Sequence, residues 1–414
     1  MRNQVMPGIM RALTPDPMLR RLSVGLLASA VAIAPLPLKA QDGSADDLGV
    51  MSISLKDVVK PTFGFQGALQ GAGTPNQAGI GGFLPLSVGD NSVWFLDVLA
   101  NANFADREGY SSIINTDVAG TTISTSTRLG YRWLNGDRSW MYGLNAGYDS
   151  RPMNTGGTDT GIPLFGTEKS AFFQQVAVNA EAVSNDWNFN AYALLPIGDT
   201  EQDLNFFYQG GALNTYGLDV GYFITPELNA SVGYYYQNGD LGSADGSGVL
   251  GRLAYEISNG LTAGVNISYD EAFDTRVSAD IKVRFGGAST TAQRKEVQQL
   301  PVISALTSTP SNRDVRVHDV CAEGSIYRNG PKYSRIQVYK CVNGKLKSKC
   351  EVPAGTPIQA GNSIFGLVND VGDGQRIELV SYLDKKGSLR QGQKCLNGEL
   401  VDYNPDPDDK LYPS

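Results

Sequence analysis

From Pro61 to Gly287 the chain repeats in twos, and this period constrains the fold more than any other feature. Near its end, Thr275, Val277, Ala279, Ile281, Val283 and Phe285 share one side of an extended chain, with Arg276, Ser278, Asp280, Lys282 and Arg284 on the other. Successive side chains of a β-strand point to opposite faces, whereas a helix groups every third or fourth residue. The same alternation runs through 140–149, 212–222, 227–237 and 261–270. It predicts about twelve antiparallel strands, centred near residues 65, 83, 98, 128, 144, 176, 191, 216, 232, 252, 265 and 280.

A soluble sandwich with one wet face would alternate in the same way. Three features favour a transmembrane β-barrel. Many strands run about ten residues, the length a tilted strand needs to cross a bilayer. Aromatic residues gather near strand ends (Trp94, Trp133, Trp140, Trp187, Tyr236, Tyr269), as an interfacial girdle requires. Short turns such as Asn135-Gly136-Asp137, Thr225-Pro226 and Ser258-Asn259-Gly260 alternate with longer polar loops near 104–120, 150–168, 196–211 and 237–247. The expected inner face carries Asp97, Arg128, Arg132, Glu181, Asp219, Arg252, Glu256, Asp270, Arg276, Asp280, Lys282 and Arg284. Charges of both signs pointing inward fit a polar lumen or pairing around a threaded segment, with structural pairing the expectation.

The flanks differ in charge from this middle. Residues 1–40 carry +4, 41–288 carry −15 and 289–414 carry +3, for a net charge of −8. That sign argues against nucleic acid as a partner. Arg20 and Arg21 precede the apolar run Leu22–Leu36, and Leu38-Lys39-Ala40 offers a small residue before a cut. This order predicts a secretory signal over 1–40, with Met18 a second possible start. The run is too short and too Pro-broken for a membrane helix, and no later stretch is apolar enough for one.

The stretches "GFLPLSVGDNSVWFLDVLANANFAD", "TRLGYRWLNGDRSWMYGLNAGYDSR", "VAVNAEAVSNDWNFNAYALLPI", "YGLDVGYFITPELNASVGYYYQ" and "ADIKVRFGG" together resemble the inverse autotransporter β-domain of intimin- and invasin-type proteins. The most specific piece is Gly130-Tyr131-Arg132 followed by Trp140-Met141, Asn145 and Tyr148-Asp149. The resemblance implies a twelve-stranded barrel with both ends periplasmic. It also implies a following segment that re-enters the pore and carries a C-terminal passenger to the cell surface. Two departures stand out. Only about 20 residues separate the signal from the first strand, and the passenger is a single segment of about 100 residues. The expected organisation is a signal (1–40), a short periplasmic segment (41–60), the barrel (61–287), a linker (288–317) and a small all-β passenger (318–414).

All four cysteines (Cys321, Cys341, Cys350, Cys395) fall in that tail and are disulfide candidates, with three connectivities open. Lys340-Cys341-Val342-Asn343-Gly344-Lys345-Leu346 recurs as Lys394-Cys395-Leu396-Asn397-Gly398-Glu399-Leu400, each an Asn-Gly hairpin signal. If the tail is a duplicated unit, the pairs are Cys321–Cys341 and Cys350–Cys395. A zinc site is disfavoured because no Cys-x-x-Cys occurs. The basic run Lys332, Arg335, Lys340, Lys345, Lys347 and Lys349 reads first as a solvated face, and second as a contact for acidic surface polysaccharide or the anionic envelope. His318, the one histidine, reads as a surface residue without a serine partner.

No catalytic set, cofactor site or metal site is expected, and the loops "TGGTDTG" and "GDLGSADGSG" match no calcium-binding spacing. The expected function is anchoring in the outer membrane and display of the C-terminal passenger at the cell surface. The partners would be outer-membrane lipid, assembly and secretion machinery, and a surface polysaccharide or a ligand on a host or neighbouring cell. The alternative is an outer-membrane channel with a periplasmic tail.

Overall fold

A computed structural model describes residues 53–321, apart from 108–109, 160–161, 164–168, 206, 240, 243, 259 and 287–299. Beyond these it describes the backbone of seven short strands in the tail. Its first half contains α1 (Leu55–Val58), β1 (Thr62–Ala68), β2 (Asn76–Val88), β3 (Ser92–Phe104), β4 (Thr116–Ala119), β5 (Thr122–Leu134), β6 (Met141–Asp159), β7 (Ile162–Pro163) and β8 (Ser170–Val183). Next come β9 (Trp187–Pro196), β10 (Glu201–Asp203), β11 (Tyr208–Ala212), β12 (Asn214–Thr225) and β13 (Leu228–Asn238). The series ends with β14 (Gly246–Ser258), β15 (Leu261–Asp270), β16 (Asp274–Gly286), α2 (Pro301–Ser304), the 3₁₀ turn Ala305–Thr307 and β17 (Val317–Cys321).

Twelve of these strands close into an antiparallel barrel. Neighbours follow chain order through β1, β2, β3, β5, β6, β8, β9 and β12 to β16, and β16 pairs back onto β1. In the closing pair Thr62 faces Gly286 and Ala68 faces Asp280. All twelve predicted centres lie within these strands. The largest difference is in β6, which runs 19 residues to Asp159 and occupies much of the predicted 150–168 loop. Its outer part pairs with β4 and β7 rather than ending at the membrane, so polar "NTGGTD" is extended by sheet partners that a local pattern does not show.

The alternation settles which face meets lipid. In β5 every even residue from Ser124 to Leu134 is buried, while Ile123, Thr125, Thr127 and Leu129 are exposed. In β16 the apolar Val277, Ile281 and Phe285 are exposed and the charged set turns inward. Large exposed apolar side chains cover the outer wall, among them Phe63, Leu84, Leu144, Leu218, Val232, Leu253 and Ile267. That much exposed apolar surface requires lipid. At the end with short turns the outer rings touch in sequence: Trp94–Tyr131 (4.8 Å), Tyr131–Trp133 (5.5 Å), Trp133–Tyr142 (5.9 Å), Tyr142–Trp140 (6.3 Å) and Trp140–Phe189 (6.2 Å). Trp187 continues the row to Tyr222 at 4.9 Å. Tyr216, Tyr236 and Tyr269 are exposed toward the opposite rim. Two aromatic belts around an apolar band are the exterior of an outer-membrane-type barrel.

The predicted signal lies outside the described residues. In the tail, Val342 pairs with Lys345 and Leu396 with Glu399, so strands flank both Asn-Gly dipeptides. The side chains of Cys341, Cys350 and Cys395 and of the basic run lie outside the described residues, as does the pairing predicted among the cysteines.

Candidate functional site: a lumen occupied by the chain itself

The lumen holds residues 300–321, which run from the short-turn end to the long-loop end. At the short-turn end, Val302, Ile303, Ala305 and Leu306 pack with Phe83, Val93, Phe95, Leu134 and Met141. Leu55, Val58 and Val59 of the N-terminal α1 join the same cluster. The sequence explains this local form. Pro301 at the first turn of α2 supplies a preset helical φ and no N–H to satisfy, and "VISAL" then offers apolar side chains to both walls. Beyond Thr307 the chain is extended and polar, and the barrel wall grips it residue by residue.

Arg132 is fully buried and donates from Nε and Nη2 to Glu181 (2.8 and 3.1 Å). Its Nη1 donates to the carbonyls of Leu306 (3.3 Å) and Ser308 (2.7 Å). Its guanidinium lies 4.5 Å from the centre of the Phe95 ring. Four residues away along β5, Arg128 forms a two-pronged pair with Asp149 (2.7 and 2.8 Å) and donates to the Asn312 carbonyl (3.1 Å). Arg151 donates to the Val315 carbonyl (2.9 Å) and to that of Gly73. Three wall arginines therefore hold backbone carbonyls, which any sequence would present.

The linker's own side chains set the register. Arg313 pairs with Asp97 and donates to Ser126 Oγ at 2.7 Å. Gln77 donates to Asp314 (3.1 Å), Arg284 to Thr309 Oγ1 (2.6 Å) and Asn190 to Ser311 Oγ (3.2 Å). Arg316 donates to Asp270 (3.1 Å) and stacks 4.5 Å over Tyr235, whose hydroxyl donates to the same carboxylate at 2.5 Å. At the exit, β17 pairs with β11 in a loop between barrel strands, Tyr208 against Cys321 and Ala212 against Val317. Asp319, wholly buried, accepts the backbone N–H groups of Asn115 (2.9 Å) and Thr116 (2.7 Å).

The twelve predicted inner charges differ in what they meet. Asp97 and Asp270 meet linker arginines, while Arg128, Arg132 and Glu181 belong to the clamps just described. Arg252 pairs with Asp280 across β14 and β16. Asp219 sits beside Asn190 and Lys282 lines the same open space, while Glu256 accepts the Gly260 N–H (3.0 Å). Arg276 donates to the carbonyls of Phe273 (2.9 Å) and Ser111 (3.1 Å), and Arg284 reaches the linker.

Sequence reasoning missed Asp149, Arg151, Arg313, Arg316 and Asp319. The first two sit in the β6 stretch, where alternation alone places them inward. The last three lie beyond the barrel, where no period signals an orientation. His318 is corrected: it is 5% exposed, with its ring edge-on to Phe273 at 5.6 Å. Burial follows from β17 pairing with β11 in the loop between β9 and β12, so the expected linker–passenger boundary at 317/318 falls inside a strand.

No family model matches the sequence, and no curated protein matches it. The fold is similar to a membrane-protein structure from work on in-meso crystallisation, at 12% identity over 63% of this chain and 100% of that one, with a TM-score of 0.44. It is also similar to the KdgM porin, at 8% identity over 54% and 98% of the two chains and a TM-score of 0.30. Outer membrane phospholipase A from Escherichia coli gives 12% identity, 55% and 95% coverage, and a TM-score of 0.29. A porin and an enzyme thus resemble the chain equally distantly, and no activity follows from either.

Proposed function

We propose that this chain is a non-enzymatic outer-membrane anchor that displays its own C-terminal segment at the cell surface, in the manner of an inverse autotransporter. The observation that carries this reading is the path of residues 300–321. Both barrel ends lie at the short-turn end, and the linker leaves the lumen at the opposite, long-loop end. Outer-membrane barrels keep short turns on the periplasmic side and long loops outside. A chain that exits among the long loops therefore delivers the residues beyond Cys321 to the exterior. The tail, with its cysteines paired as disulfides in an oxidising compartment, is the displayed body.

The test is an epitope tag after Ser414, probed with antibody and protease on intact cells. Antibody binding and loss of the tag without permeabilisation are the expected results. A tag protected until the outer membrane is opened, on a barrel that still shows heat-dependent gel mobility, would reject display. The barrel would then be a channel with its tail in the periplasm.

A further inference from the structure

The linker does not fill the barrel. The arginines that hold its carbonyls lie on β5 and β6, and the apolar seal below them draws its wall residues from β2, β3, β5 and β6, with Val183 of β8 packed against it. Asn190, Tyr235, Asp270 and Arg284 reach linker side chains from the other half. On the other half of the circumference, β9 and β12 to β16, a cavity of about 430 Å³ runs beside residues 309–316. It reaches Thr74 and Pro75 in the β1–β2 loop at one end. At the other it reaches Asn188 and Asn229, each the second residue of a strand that starts at a short turn. The cavity thus runs most of the length of β9 and β13, and on β14 to β16 its lining ends at Arg252, Asn266 and Lys282.

Ser231, Asn266 and Ser278 line it from β13, β15 and β16, and they share the wall with Tyr192, Leu194 and Leu250. Two charges of opposite sign, Asp219 and Lys282, line the space and have no ion-pair partner among the described residues, with Asp219 beside the Asn190 amide. A charge left unpaired inside a barrel requires water or mobile ions around it.

We infer that the barrel conducts while its linker is seated: a narrow aqueous passage along β9 and β12 to β16 carries ions and small neutral polar solutes past the threaded chain. One anchor would then serve two functions at once. The inference does not rest on display, because the cavity exists whichever side the tail occupies.

The experiment uses the full chain in planar bilayers, with the linker pinned. Asn190 and Ser311 are 3.2 Å apart, so Asn190→Cys/Ser311→Cys gives a cross-link between wall and linker. Small, steady conductance steps in the native protein that persist in the cross-linked protein are expected, well below those of a variant lacking the linker. Lys282→Gln should shift the reversal potential in a KCl gradient toward cations by removing the unpaired positive charge. Silence of the folded full-length protein, or steps that vanish on cross-linking, would overturn the passage and leave a sealed plug. An unchanged reversal potential in Lys282→Gln would also overturn it, because the current would then run elsewhere.

Discussion

At the scale of single residues, each wall arginine that clamps the linker is matched by a carboxylate or by backbone carbonyls. Arg132 touches a carboxylate, two linker carbonyls and an aromatic face, which satisfies both its charge and its donors. Gly130 makes room for this arrangement, since a Cβ there would stand 2.4 Å from the Phe95 ring. Breaking a buried pair from one side leaves the other charge stranded, at a cost of about 3–5 kcal/mol. Arg132→Met is therefore expected to lose about that much stability, read from urea unfolding of the folded barrel by tryptophan fluorescence. Arg132→Met/Glu181→Leu should recover most of it, because no carboxylate is left without a partner. Equal losses in the single and double variants would show that the arginine acts through packing alone.

At the scale of elements, hairpins with tight turns contrast with a loop that folds on itself. Between β3 and β5, Asp106 holds the loop by accepting the backbone N–H groups of Ser112 (2.9 Å) and Val118 (3.0 Å) and the Ser112 hydroxyl (3.1 Å). Burial pushes its carboxyl above the ordinary value, outweighing those hydrogen bonds and the charge of Arg151. A raised folded pKa means that the neutral form is the better accommodated one. The contribution to loop stability is full below the unfolded pKa of about 4 and is lost as pH rises through the elevated folded value. Hydrogen exchange in residues 111–119 should accordingly be slower near pH 4 than at pH 7 once corrected for intrinsic rates. Corrected rates that are flat, or that fall with rising pH, would contradict this assignment.

At the scale of the whole molecule, two distant stretches of chain meet to close one half of the short-turn mouth. Leu55 and Val58 come from just before the first strand, and Val302 and Leu306 from after the last. The barrel thereby ties its N-terminal segment to its linker, and the seat of the linker depends on both. Leu55→Asp inserts a carboxylate into an apolar seal. It is expected to accelerate hydrogen exchange across 301–306 by about tenfold or more while the strands stay protected. Unchanged exchange there would mean that the clamps above the seal hold the linker unaided.

What the sequence determined by itself was everything that a period of two can report. That period is local, so each strand's face, the inward charges from Asp97 to Arg284 and the two aromatic belts could be read without knowing any partner. Strand ends were less legible where partners decide them. The extension of β6 rests on β4 and β7, and nothing in "NTGGTD" announces it. Only the tertiary structure decided how the barrel closes and what fills it. Arg313 meets Asp97 across 216 residues, and His318 is buried because β17 adds to a loop strand about a hundred residues earlier. From Ser308 to Asp314 the linker is polar and shows no alternation, so its conformation there is imposed by the wall. An extended polar segment gains a fixed path only inside a lumen that supplies partners for its carbonyls and charges, as Arg132, Arg128 and Arg151 do for Ser308, Asn312 and Val315.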